Sequence, residues 1–108
     1  LDSLTERGLN DVLLDPGFGF GKTLEHNYQI LHSLDRYRLF GRPIMVGLSR
    51  KSMVQKVLEC AAEDALNGST VLHTLALLKG ADLLRVHDVR EAREAIALVE
   101  KYELPDRD

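Results

Sequence analysis

The chain has 108 residues, 44% of them hydrophobic and 29% charged, with a formal net charge of −3; this composition fits one ordinary globular domain and excludes a disordered chain. Acidic and basic residues are mixed along the sequence, which excludes a nucleic-acid-binding face or a polybasic membrane patch, so any anion site must be local. Cys60 is the single cysteine, no run is apolar and long enough to span a bilayer, and no stretch reads as a signal peptide; a reducing, cytoplasmic setting is the expectation.

The first predicted element is the tail of a helix within residues 1–9, stopped at Gly8. A buried strand over 12–15 follows and runs directly into Asp15-Pro-Gly-Phe-Gly-Phe-Gly-Lys-Thr23. Three glycines alternating with two phenylalanines bend the chain sharply while holding aromatic surface at a fixed place. The C-terminal end of a strand is also where parallel α/β proteins bind ligands. Thr23 can cap a helix through about residue 38, with Leu24, Tyr28, Leu31 and Leu34 at helical spacing, and the Gly41-Arg42-Pro43 break ends the connection. A second strand, 43–49, leads into Ser49-Arg50-Lys51-Ser52, a short amphipathic helix over 52–59 and a main helix over about 63–79. In that main helix Leu72, Leu75, Ala76 and Leu78 are apolar, and Gly80 suits a left-handed C-terminal cap. A third strand, 82–87, precedes a helix over 90–102 that should bury Ala92, Ala95, Ile96 and Val99, with Asp88 and Glu91 at capping-box-like spacing.

The three strand segments are short, apolar and poor in strict alternation, as strands covered on both faces are. Their starts lie about 31 and 39 residues apart, the period of βα units joined by right-handed crossovers in a parallel sheet. The predicted fold class is therefore α/β: the last three βα units of a TIM (β/α)₈ barrel with parallel strands, incomplete as a barrel because a whole one takes about 250 residues. Residues 1–108 are expected to be a C-terminal fragment of such a domain.

Each predicted strand end carries polar residues. The first has Asp15, the second Lys51 between Arg50 and Ser52, and the third Arg85 and His87, which share a face because strand side chains alternate. A carboxylate, cations and an imidazole on one rim suit an anionic ligand that also carries N–H donors. Plainer readings exist for most of them. Asp15 before Pro16 can simply begin a turn; Arg50 and Lys51 can be solvated residues at a helix start, although cations there oppose the helix dipole; and His87 can be a satisfied core histidine. Arg85 is the strongest candidate, since a guanidinium in the apolar run 82–87 is costly to bury unpaired. The glycine-rich segment is not a phosphate-binding P-loop, because Pro16 stands where that motif needs its first glycine. His26, His32, His73 and Cys60 fall in no metal-ligand spacing.

Three segments, Leu14-Asp-Pro-Gly-Phe-Gly-Phe-Gly-Lys22 with His26-Asn27, Ile44-Met-Val-Gly-Leu-Ser-Arg-Lys-Ser52 and Leu84-Arg-Val-His-Asp-Val89, resemble in order and spacing the C-terminal part of the bacterial dihydropteroate synthase family. The resemblance implies a barrel-shaped transferase of folate biosynthesis, joining 4-aminobenzoate to 6-hydroxymethyl-7,8-dihydropterin diphosphate to give 7,8-dihydropteroate and diphosphate, with sulfonamides competing for the aminobenzoate pocket. It implies that Asp15, Gly47, Lys51 and Arg85 contact the pterin, Phe20 and Ser52 the aminobenzoate, and Arg85 and His87 the diphosphate. Lys51, Arg85 and His87 are the implied catalytic residues. Mg²⁺ is the implied cofactor, with its ligand on earlier strands and not among these residues, and a homodimer through the late helices is the implied assembly of the full-length enzyme. The isolated chain is expected to be inactive. Two other readings are a methyltetrahydrofolate-binding methyltransferase barrel and a non-catalytic pterin-binding remnant; the Ser-Arg-Lys-Ser and Arg-Val-His patterns, as diphosphate contacts, favour the synthase over the first.

Overall fold

The computed structural model describes residues 23–48 and 50–106, with the side chains of 50–52 excepted. The predicted helix tail in 1–9, the strand at 12–15 and the glycine-rich loop lie outside the described residues. In chain order the described elements are α1 (Leu24–His32), a 3₁₀ helix (Leu34–Phe40), β1 (Met45–Val46), a π-helical segment (Arg50–Gln55) continuing into α2 (Lys56–Leu58), a 3₁₀ turn (Ala62–Asp64), α3 (Leu66–Leu78), β2 (Leu83–Leu84) and α4 (Val89–Glu103).

Thr23 caps α1 as its position predicts: its hydroxyl accepts the His26 N–H at 3.1 Å. The α-helix does not reach residue 38. It ends at Ser33, and Leu34–Phe40 tightens into 3₁₀ geometry before Gly41 closes it in the left-handed region at φ 68°. The tighter winding stacks residues three apart, so fully buried Leu34 and half-buried Tyr37 face the core together.

The two strands are parallel, with Met45 opposite Leu83 and Val46 opposite Leu84, and their pairing is shorter than the 43–49 and 82–87 stretches expected. A side chain fixes the register. The Asp82 carboxylate accepts the Ile44 N–H at 2.7 Å, while the Asp82 and Leu83 N–H groups both donate to the Ile44 carbonyl at 2.8 and 3.1 Å. One step further on, Arg85 N–H donates to the Val46 carbonyl at 2.9 Å.

The crossover between the strands is helical. Its first part has π geometry, with one residue more in each hydrogen-bonded turn than an α-helix, where a plain amphipathic helix was predicted. Met53 and Val54 in this segment are buried in a core they share with Leu31, Leu34, Ile44 and Val46. Tyr28 of α1 reaches the same segment, its hydroxyl donating to the Met53 carbonyl at 2.6 Å. Gly68 in α3 sits where a Cβ would come within 2.5 Å of Val54 Cγ1, so the glycine lets α3 and the π-helical segment cross closely despite its poor helix propensity.

The buried stripe of α3 is Ser69, Leu72, His73 and Ala76, whereas Leu75 and Leu78 are exposed together with Val71. A helix apolar on nearly all sides is one built to be covered on more than one face. Gly80, at φ 105°, ends α3 as predicted. The Ala81 N–H donates to the Ala76 carbonyl and the Gly80 N–H to the Leu77 carbonyl, both at 3.0 Å, which is the double-bonded Schellman stop. Helix α4 lies against α3 and buries Ala92, Ala95 and Val99, while Ile96 is only half-buried. Asp88 stands at its N-cap without the side-chain cap bond that its spacing to Glu91 suggested. No helix among the described residues is long and apolar enough to cross a membrane.

Candidate functional site

Parallel pairing brings the C-terminal ends of β1 and β2 to one edge. Ile44, Val46, Leu48 and Leu84 belong to the helix-facing core or pack on it. By strand alternation Met45, Gly47, Leu83, Arg85 and His87 fall on the opposite face. Exposure follows that alternation in the third unit, where Leu83, Arg85 and His87 are exposed and Leu84, Val86 and Asp88 are half-buried. Arg85 is therefore not the buried guanidinium that its apolar neighbours suggested. It stands on the open face of a two-sided strand, and among the described residues no ion pair engages it.

The register places Gly47 beside Arg85, and the contact is close. A Cβ at Gly47 would lie 2.9 Å from Arg85 Nη2, 3.0 Å from Nε and 3.3 Å from Cζ. The guanidinium thus folds back across the end of β1, over the one residue in that stretch with no side chain. His87, exposed at a bend, follows two residues later, just before α4 begins at Val89. Lys51 and Ser52 occupy the start of the π-helical segment that leaves β1, held from below by buried Met53 and Val54. Asp15 and Phe20 lie outside the described residues. Of the predicted set, then, the fold brings Gly47 and Arg85 together, leaves His87 exposed two residues further on, and puts the backbone of Lys51 and Ser52 at the head of the adjoining helix.

Two residues that steady this edge were not singled out as such in the sequence. Asp82 locks the strand register through Ile44, and its signal was a carboxylate opening an apolar strand. Tyr28 looked like one more apolar member of a helical stripe, yet it is the polar tip of this side chain that ties α1 to the segment bearing Lys51. Burial pushes the Tyr28 phenol above its ordinary value, which keeps it a donor at any physiological pH.

The described residues at this edge offer positive charge and N–H donors, which suit phosphate oxygens. Mg²⁺ requires a set of oxygen ligands, and among the described residues no three acidic, histidine or cysteine side chains group to hold a metal. This part of the chain therefore fits an anion and not the ion itself.

The chain matches the family model described as pterin binding enzyme over residues 1–87. It is 47% identical over 89 residues to the dihydropteroate synthase of Escherichia coli (strain K12), covering 82% of this chain and 32% of that protein. It is 38% identical over 106 residues to the bifunctional dihydropteroate synthase/dihydropteroate reductase of Helicobacter pylori, covering 98% of this chain and 28% of the relative. The chain spans about a third of the length of the curated relatives it matches. Among solved structures, it superposes on the Yersinia pestis dihydropteroate synthase carrying a pterine-sulfa conjugate with a TM-score of 0.84 at 42% identity, over 96% of this chain and 42% of that one.

Proposed function

The chain belongs to the pterin-binding enzyme family, and on that premise we propose that it forms the last three βα units of a dihydropteroate synthase barrel, residues 1–108 being the C-terminal part of that domain. The observation that carries the reading is the placement of the Arg85 guanidinium across Gly47 at the shared edge of two parallel strands, with exposed His87 two residues further on. The exposed apolar side chains Val71, Leu75 and Leu78 agree with it, since the remaining barrel units or a second subunit would cover them.

In this reading the enzyme condenses 4-aminobenzoate with 6-hydroxymethyl-7,8-dihydropterin diphosphate, releasing diphosphate, in the cytoplasm. The diphosphate leaves first, giving a cation delocalised into the pterin ring, and the amine then attacks the methylene and gives up a proton, so no protein nucleophile takes part. Arg85 and His87 stabilise the negative charge on the leaving diphosphate, which is worth most where donors are already in place. Asp15 accepts the pterin ring N–H and amino hydrogens as a two-oxygen acceptor. Lys51 contacts the pterin, and Gly47 leaves room beside it. Phe20 and Ser52 hold the aminobenzoate, in the pocket where sulfonamides compete, and so bring its amine within reach of the methylene. Mg²⁺ is held by residues outside this edge.

Calorimetry of the chain with the pterin diphosphate tests the reading. Arg85→Ala and Asp15→Asn are each expected to weaken binding by about 10- to 100-fold, the loss of a charge-assisted hydrogen-bonded contact. Unchanged binding in both variants would reject the site. The chain by itself should release no diphosphate with 4-aminobenzoate present, and turnover near that of a full-length relative would overturn its assignment as part of a larger barrel.

A further inference from the structure

The three distances from a Cβ at Gly47 to Arg85 carry more than proximity. Nη2 and Nε, at 2.9 and 3.0 Å, are both nearer than the Cζ between them, at 3.3 Å. A guanidinium lying flat over that point would bring its carbon at least as close as its nitrogens. It is therefore the Nε–Nη2 edge that turns toward the glycine, and the planar, rigid fork leaves the Nη1 end directed away from it. Backbone pairing supports the same placement, because the Arg85 N–H is tied to Val46 immediately before Gly47.

We propose that Gly47 is a positioning residue: its bare Cα is the seat against which the Nε–Nη2 edge of Arg85 rests, and this contact aims the Nη1 end of the guanidinium at a diphosphate group beyond the strand ends. The proposal rests on the diphosphate reading of Arg85 given above. Arginine is required at position 85 because only its fork has one edge to rest and another to offer; lysine has a single mobile charge. Glycine is required at position 47 because any Cβ would sit closer to the fork nitrogens than van der Waals contact allows, and the long, flexible arginine would swing aside.

A double-mutant cycle on the full chain, with inorganic diphosphate as the probe, separates this from a merely structural glycine. Binding is read by calorimetry and the Arg85 Nε–H resonance by NMR. Gly47→Ala should weaken diphosphate binding about tenfold, a change of one decade in Kd, and should shift the Arg85 Nε–H resonance in the unliganded protein. In the Arg85→Ala background, Gly47→Ala should cause no further loss. Equal losses in both backgrounds, or an unmoved resonance in Gly47→Ala, would overturn the proposal. If Gly47→Ala prevents folding, the double variant must fold again, since it removes the group that clashes; failure to do so would also overturn it. Should Arg85→Ala leave diphosphate binding intact, the diphosphate reading falls and takes the aim of Nη1 with it, while the resonance still decides whether Gly47 seats the guanidinium.

Discussion

After β1 the chain turns at once into helix, and the residues that follow Lys51 and Ser52 are driven into the core as Met53 and Val54. After β2 it stays out of helix through Arg85 and a bend at His87, both exposed, and enters a helix only at Val89. The first strand end is held from below by burial. The second is held from the side, by backbone bonds to β1 and by the rest of Arg85 against Gly47. A strand end can thus be fixed either by anchoring the turn that follows it or by leaning on a neighbouring strand. Mutations should separate the two modes, the first failing through stability and the second through geometry.

The largest effect is expected at the anchor. Met53 is fully buried among Leu31, Leu34 and Val46, and Met53→Ala should cost about 2–5 kcal/mol in urea unfolding; a loss below about 1 kcal/mol would erase the contrast. Next comes the sideways support. Asp82→Ala removes the carboxylate that accepts the Ile44 N–H and should cost about 1.5 kcal/mol, the low end for a hydrogen bond to a charged group. Because that bond sets the β1–β2 register, hydrogen exchange at the Ile44 and Arg85 amides should quicken together. Exchange confined to Ile44 would show that the register does not depend on Asp82.

Tyr28→Phe removes the hydroxyl bonded to the Met53 carbonyl and should cost about 1 kcal/mol. Its pH dependence has a definite sign. Burial raises the phenol above its usual 10 in the folded chain, so the folded state holds its proton where the unfolded chain gives it up, and stability falls as pH rises past 10. That alkaline slope should be shallower in Tyr28→Phe. An identical slope would assign it to other groups. The smallest stability change belongs to Arg85→Ala, within about 0.5 kcal/mol as for an exposed site away from the core, even though it removes the proposed diphosphate contact. A large loss there would mean that the second strand end is anchored like the first.

The elements whose cause is local were legible in the sequence. Thr23 and Gly80 cap their helices as read, because a hydroxyl at an N-cap and a glycine at a left-handed position act within a few residues of themselves. Strand alternation read from the sequence agrees with the exposure of both Arg85 and His87. What escaped depends on distant partners. The stretch after Ser33 winds as 3₁₀ where Leu34 and Tyr37 meet the core, the exposed state of Leu75 and Leu78 depends on which side of α3 the rest of the chain occupies, and Tyr28 bonds a carbonyl 25 residues away. Arg85 was expected to be buried because its neighbours are apolar; the strand has one open face, and the arginine is on it. Gly47 entered only through the family resemblance, whereas the strand register sets it against the Arg85 guanidinium.

The π-helical stretch at Arg50–Gln55 also bears on how tolerant this chain is of changes in length. A turn closed over five residues instead of four carries one residue of slack. Removing a single residue from the stretch would let the backbone relax into an ordinary α-helix with little loss of hydrogen bonding. The residues before the deletion would then be turned by about 100° around the helix axis relative to those after it. A deletion there would be easy for the fold to absorb and ruinous for the rim, so indels at this point should be rarer than the local packing alone would require.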